Sequence, residues 1–199
     1  MASELPLFPL NLVLVPGAYL PLRIFEQRYL DMVRDAARDG TGFGVCLVTE
    51  HDQRPGASQH ARVGTSAVIR DFYTLEDGLL GITAQGQSRF RVDSTRVSSS
   101  GLLVGQVEWL AEPDNTALPV KFELLARIAE NFLEQLREHY PDFHAAQLDE
   151  ANWVSYRLTE LLPMENPEKQ MLLELNDPLA RLQSIMDALP RFQANEAGE

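Results

Sequence analysis

The spacing of apolar residues changes near residue 117. Up to about residue 112, apolar positions form short runs or alternate with polar ones, as strands require; from Leu118 onward they recur every three or four residues, as helices require. Residues 5–10 and 11–15 are apolar but include Pro6 and Pro9, which suits edge strands and extended segments. Pro16-Gly17 marks a turn before a further extended piece at 21–24. In residues 26–38, Tyr29, Met32, Val33, Ala36 and Ala37 form one stripe at helical spacing, charged residues decorate the other side, and Gly40 is the stop. Strands are predicted at 43–48, from Val63 onward, at 79–84, at 88–92 and at 102–109. They are separated by a polar loop at 50–60 and by turns at Glu76-Asp77-Gly78 and Gln85-Gly86-Gln87. Alternation along 88–92 puts Phe90 and Val92 inward and Arg89 and Arg91 outward. About six or seven short strands with one helix predict a twisted, partly closed antiparallel barrel.

The second part predicts three or four helices. Residues 120–139 carry Leu124, Leu125, Ile128, Phe132, Leu133 and Leu136 as a wide stripe. Asp149 is positioned to cap a second helix that Pro163 stops. Asn166-Pro167 and Asp177-Pro178 each read as an N-cap followed by Pro at the first helical position, and the last helix is bent or stopped at Pro190. The fold class is therefore α+β, with a β-rich domain over 5–112, a helical bundle over 118–193 and a disordered tail expected at 194–199.

Composition narrows the partners. At 199 residues, 45% hydrophobic and 23% charged, the chain is ordinary for a globular protein. No run approaches the roughly 20 apolar residues of a membrane span, and no basic segment precedes a hydrophobic one at the N-terminus, so a cytoplasmic protein with no membrane partner is expected. The net charge is −12; 10 basic and 14 acidic residues lie up to position 117, and 7 and 15 beyond it, so the acidity concentrates in the helical part. With only two lysines, Lys121 and Lys169, nucleic-acid binding is disfavoured unless Arg89, Arg91 and Arg96 form a basic face.

The search for chemistry is short. No Gly-Lys pair is present, which excludes a Walker phosphate loop, and no Gly-x-Ser-x-Gly elbow exists. Both lysines fall on predicted helices away from any serine pocket, so no Ser–Lys dyad is expected. The single cysteine, Cys46, lies mid-strand and reads as a small core residue. His51 and His60 bracket the polar loop at a spacing with no fixed geometry for a metal, and His139 and His144 flank a connector with Asp142 that reads as surface decoration or, alternatively, as a loose set of cation ligands. Glu130, Glu134 and Glu138 share one helix face with the pattern of a solvated surface. Catalytic, cofactor and metal residues are accordingly predicted as none.

The run Leu5-Pro6-Leu7-Phe8-Pro9-Leu10, continuing through Val15-Pro16-Gly17, Leu20-Pro21-Leu22 and Ile24-Phe25-Glu26-Gln27-Arg28-Tyr29, resembles the opening signature of the Lon protease N-terminal (substrate-recognition) domain family. Gly42-Phe43-Gly44-Val45, Val63-Gly64-Thr65, the segment from Gly86 to Val92, the helical run 168–175 and Arg181-Leu182 extend the likeness over about residues 5–190. The resemblance implies a PUA-like pseudo-barrel followed by a small helical bundle. It also implies a module that selects polypeptides for an ATP-dependent protease. The ATPase and protease domains of those proteases have no counterpart in these 199 residues, so the expectation is a stand-alone, non-catalytic module.

Two functions compete on this reading. One is a module binding unfolded polypeptides or protein partners, as an adaptor for proteolysis, with Glu26, Arg28, Arg89 and Arg91 read first as structural residues and, as the alternative, as partner contacts. The other is a small-ligand-binding protein or enzyme using a pocket between barrel and bundle. The oligomeric state is not legible in the sequence.

Overall fold

The computed structural model describes residues 3–49, 60–114 and 116–196, with side chains of the last helix through Phe192. Most of the predicted polar loop, including His51, and residues 197–199 of the expected tail therefore lie outside the described residues. The chain forms two compact units, Met1–Ala111 and Glu112–Glu199. Among the described residues, six strands and five α-helices give the α+β fold that the hydrophobic pattern predicted.

In the first unit, β1 (Ser3–Leu10), β2 (Tyr19–Ile24), β3 (Phe43–Leu47), β4 (Val63–Thr74), β5 (Leu80–Val97) and β6 (Leu103–Trp109) lie in the order β2-β5-β4-β3-β1-β6. An additional β5–β6 pairing closes β1, β3, β4, β5 and β6 into a ring. One pairing departs from the antiparallel expectation, since β1 and β3 run parallel. Their connection holds β2 and α1 (Gln27–Asp39), enough chain for the crossover that parallel neighbours need. The α1 stripe of Tyr29, Met32, Val33 and Ala36 is buried, Tyr29 stacks on Phe8 at 4.0 Å, and Gly40 ends the helix with φ 65°. Inside the ring, Leu5, Leu7, Cys46, Phe90, Val92 and Val107 form an apolar core.

The predicted turn at Gln85-Gly86-Gln87 does not exist, because β5 is one strand of 18 residues. Gly86 is needed there for a different reason: a Cβ on it would lie 2.4 Å from the Val15 carbonyl oxygen. It instead donates its N–H to Ala18 O and accepts from Gly17 N, both at 2.9 Å. Glycine inside a strand thus marks a close backbone approach.

The second unit contains α2 (Glu123–Gln135), α3 (Ala151–Leu161), α4 (Asn166–Glu174) and α5 (Pro178–Glu196). The stretch predicted as one helix over 120–139 is divided into 3-10 turns at Val120–Phe122 and Arg137–His139 on either side of α2. Asp149 ends a short 3-10 turn, and Glu150 is the α3 N-cap. Likewise Glu165, not Asn166, caps α4, through a reciprocal bond pattern with Glu168. Asp177 does cap α5, its Oδ1 accepting from Leu179 N at 2.8 Å, and the helix runs past Pro190 to Glu196, into the segment expected to be disordered. The apolar core here draws Phe122, Leu125, Ala129, Val154, Leu158 and Leu182, among others, from α2, α3 and α5.

Two arginines are buried with that core. Arg181 is fully enclosed; it donates to Leu172 O at 2.9 Å, Leu175 O at 2.5 Å, Asn152 Oδ1 at 2.9 Å and Ser155 Oγ at 2.8 Å, and its guanidinium lies 4.0 Å over the Tyr156 ring. Arg157 pairs with Glu160 at 2.6 Å, while Tyr140 donates to the Glu160 carboxylate and Lys169 to the Glu160 carbonyl, both at 2.8 Å. Burial raises the Glu160 carboxyl and Tyr140 phenol above their ordinary values and lowers Lys169.

Candidate functional site

The four residues singled out in the sequence occupy different environments. Glu26 and Arg28 meet each other where α1 begins, 2.7 Å apart. Arg28 also donates to Gly101 O at 3.2 Å and lies 4.7 Å over the Tyr29 ring, so this pair fixes the helix start against the β5–β6 turn. Arg91 is half-exposed and pairs with Glu108 across the β5–β6 ladder.

Arg89 corrects the expectation of an outward face, for it is 0% exposed. Its cross-strand partner is Thr65, so the two side chains share a sheet face, and Thr65 Oγ1 donates to Leu14 O at 2.6 Å. The segment between β1 and β2 therefore covers that face of the sheet. Phe90 is equally buried in the ring core, so both faces of β5 are covered at this point.

The conditional basic face does not survive either. Arg89 is enclosed, Arg91 is spent on Glu108, and Arg96 is held by Glu4 at 3.0 Å, with Gln106 donating to the same carboxylate. The Arg96 hydrogen bond keeps the Glu4 carboxyl below its ordinary value. Cys46 is 1% exposed, and burial pushes its thiol up to about 12, which suits a core residue and not a nucleophile. Among the described residues no group of three or more His, Cys, Asp or Glu is placed to hold a metal ion.

A groove that the sequence did not suggest lies where β2, β4 and β5 extend beyond the ring. It has a volume of about 610 Å³ and is lined by Pro21, Leu22 and Arg23 of β2 and by Tyr73 and Leu75. Glu76 and Asp77, in the β4–β5 turn, complete it. Strand register puts Tyr73 opposite Gly81 and Gly81 opposite Arg23, so the three share one sheet face. The Tyr73 ring packs against Gly81, where a Cβ would come within 2.2 Å of it. The turn is held by Leu75 N to Leu79 O, Gly78 N to Leu75 O and Leu79 N to Asp77 Oδ1, with Gly78 at φ 82°. That geometry presents Asp77 to Arg23 at 2.5 Å. The signal that could have found the site was Gly81 inside an otherwise regular strand pattern.

The family model of the ATP-dependent protease La (LON) substrate-binding domain matches residues 4–191. The chain belongs to this Lon substrate-binding family. It is similar to a Lon N-terminal domain protein from Xanthomonas campestris, with 41% identity, a TM-score of 0.76 and coverage of 93% of this chain and 98% of that one. The N-terminal domain of a Mycobacterium avium complex Lon protease, at 14% identity and TM-score 0.65 over 93% of this chain and 97% of that one, shares the fold. Among curated relatives, the Lon protease of Anaeromyxobacter dehalogenans is 29% identical over 199 residues, covering 95% of this chain but 23% of that protein. The chain thus spans about a quarter of the length of the Lon proteases it matches. Against that family background, Glu26, Arg28 and Tyr29 of the opening signature act within the fold: they anchor α1.

Proposed function

We propose that this chain is a non-catalytic polypeptide-recognition module that binds unfolded segments of other proteins and delivers them to proteolysis as an adaptor. The observation that carries the reading is the substrate-binding family model extending over nearly the whole chain, residues 4–191. The side-chain chemistry supports it. The cysteine is inert, Arg91 and Arg96 of the barrel unit are each engaged by a carboxylate, and the lysine nearest a buried carboxylate, Lys169, is bound to a helix carbonyl. Nucleic acid is a poor partner for a chain with charge −12 in which Arg89 is enclosed and Arg91 and Arg96 are held by carboxylates, and no helix among the described residues is long and apolar enough to cross a membrane.

The test is a fluorescence-anisotropy titration of a labelled, reduced and alkylated unfolded protein with the full chain. Saturable binding at about tens of micromolar or tighter is expected, competed by unlabelled unfolded protein but not by its folded form. Absence of binding in that range would remove the reading.

A further inference from the structure

We infer that the groove between β2 and the β4–β5 turn is a side-chain-reading site for an extended polypeptide, taking an apolar or aromatic residue flanked by lysine or arginine. This deepens the polypeptide-recognition reading and rests on it.

The first argument concerns how a chain can dock here. Among the described strands, β2 is paired with β5 alone. Gly86 donates to Ala18 O, and alternation along the strand then turns the backbone groups of residues 20, 22 and 24 toward β5 and those of 19, 21 and 23 outward. Pro21 falls on an outward position and lacks an N–H. A proline there blocks ladder addition in its middle, so recognition through a new strand is disfavoured. The face of the extension, not its edge, is left to do the reading.

The second argument concerns what the face offers. Tyr73, packed against Gly81, lines with Pro21 and Leu75 a groove large enough for one or two side chains of a bound segment. Gly81 is what admits the ring so close to the sheet. Charge then chooses the flank. Of the three charged residues lining the groove, Arg23 and Asp77 satisfy each other at 2.5 Å, whereas Glu76 has no ion-pair partner among the described residues. An apolar residue seated against Tyr73 therefore places its neighbours beside an uncompensated carboxylate, in a protein of net charge −12. Lysine or arginine is favoured at that point and aspartate or glutamate is repelled.

The experiment uses the full chain and three synthetic peptides with a central Phe in a Gly/Ser background, flanked by Lys, by Ser or by Glu, titrated at low salt by anisotropy. The expected order of affinity is Lys, Ser, Glu, with about a tenfold span that shrinks as salt rises. Tyr73→Ala should weaken all three peptides by about tenfold. Because that variant could also disturb β4, its fold is checked by circular dichroism, and Glu76→Lys, at an exposed position, provides the independent arm. Glu76→Lys should reverse the order of the Lys and Glu peptides without changing the Ser peptide. If wild-type affinity is indifferent to the flanks, or Glu76→Lys leaves the order intact, the proposed ligand class is wrong. If unfolded protein binds but neither variant alters any titration, the groove is overturned while the recognition reading stands. If the wild-type chain binds no unfolded protein at all, both fall.

Discussion

The two units handle arginine differently because they close their backbones differently. In the barrel unit, five strands pair in a ring, so most backbone donors and acceptors are consumed by the ladder. Among its described arginines, Arg23, Arg28, Arg91 and Arg96 lie at the surface, each on a carboxylate, Arg70 is on the Gln85 amide oxygen, and Arg89 is enclosed. Among its described residues the helical unit has no strand ladder beyond an isolated Ala117–Glu150 bridge. Its α3 and α4 are short and end without a glycine cap, and their last carbonyls need donors from elsewhere. Arg181 supplies them to Leu172 and Leu175 at the end of α4, and Lys169 supplies one to Glu160 at the end of α3. The helical unit thus spends Arg181 and Lys169 on helix-end carbonyls, whereas Arg23, Arg91 and Arg96 of the barrel unit are held by carboxylates.

The sharpest way to break that contrast is Arg181→Met, which leaves the carbonyls of Leu172 and Leu175 without this donor inside the core. Urea unfolding should show a loss of about 3–5 kcal/mol, and Arg181→Lys should recover only part of it, because an ammonium cannot replace the planar fork. A loss below about 1 kcal/mol would show that the buried arginine is incidental.

The barrel core makes the next prediction. The folded pKa of Cys46 is raised to about 12, so the stability it contributes is present below the ordinary thiol value and is lost as pH rises through about 12. At pH 8 the native thiolate population is then about a thousandfold below that of the unfolded chain, and a thiol reagent should label Cys46 only after denaturant is added. Stoichiometric labelling of the native protein would mean that the ring opens readily.

A smaller effect is expected of Gly86→Ala, whose Cβ would collide with the Val15 carbonyl; a cost of about 1–3 kcal/mol in the same unfolding assay separates this role from that of a turn glycine. The smallest belongs to Arg96→Ala, which removes an exposed pair with Glu4 and should cost less than about 1 kcal/mol. A larger loss would mean that the barrel surface, too, depends on its cations.

The sequence pattern made α1, its Gly40 stop, β3 and the change to helical spacing legible, because each follows from local periodicity and one glycine. What it hid was decided by chain segments distant in sequence. Gly86 looks like a turn until Val15 is known to press against it. Arg89 looks solvated until the segment carrying Leu14 crosses over Thr65. Asp149 and Asn166 are ordinary capping residues that lost the position to Glu150 and Glu165, one place away. Arg181 was read only as part of the family's helical close, since nothing local distinguishes an enclosed arginine from a surface one. The groove was invisible for the same reason: it depends on the register that sets Tyr73 against Gly81 and Arg23, while the linear sequence shows only a polar turn at residues 76–78.

The claim that this module recognises unfolded polypeptide is tested most directly by a residue-resolved NMR titration of the isotope-labelled full chain with a reduced and alkylated unfolded protein. Saturable shifts should concentrate on Pro21, Leu22, Tyr73, Leu75 and Glu76, with the Arg181 network unchanged. A titration that moves no resonance in a saturable way would contradict the account.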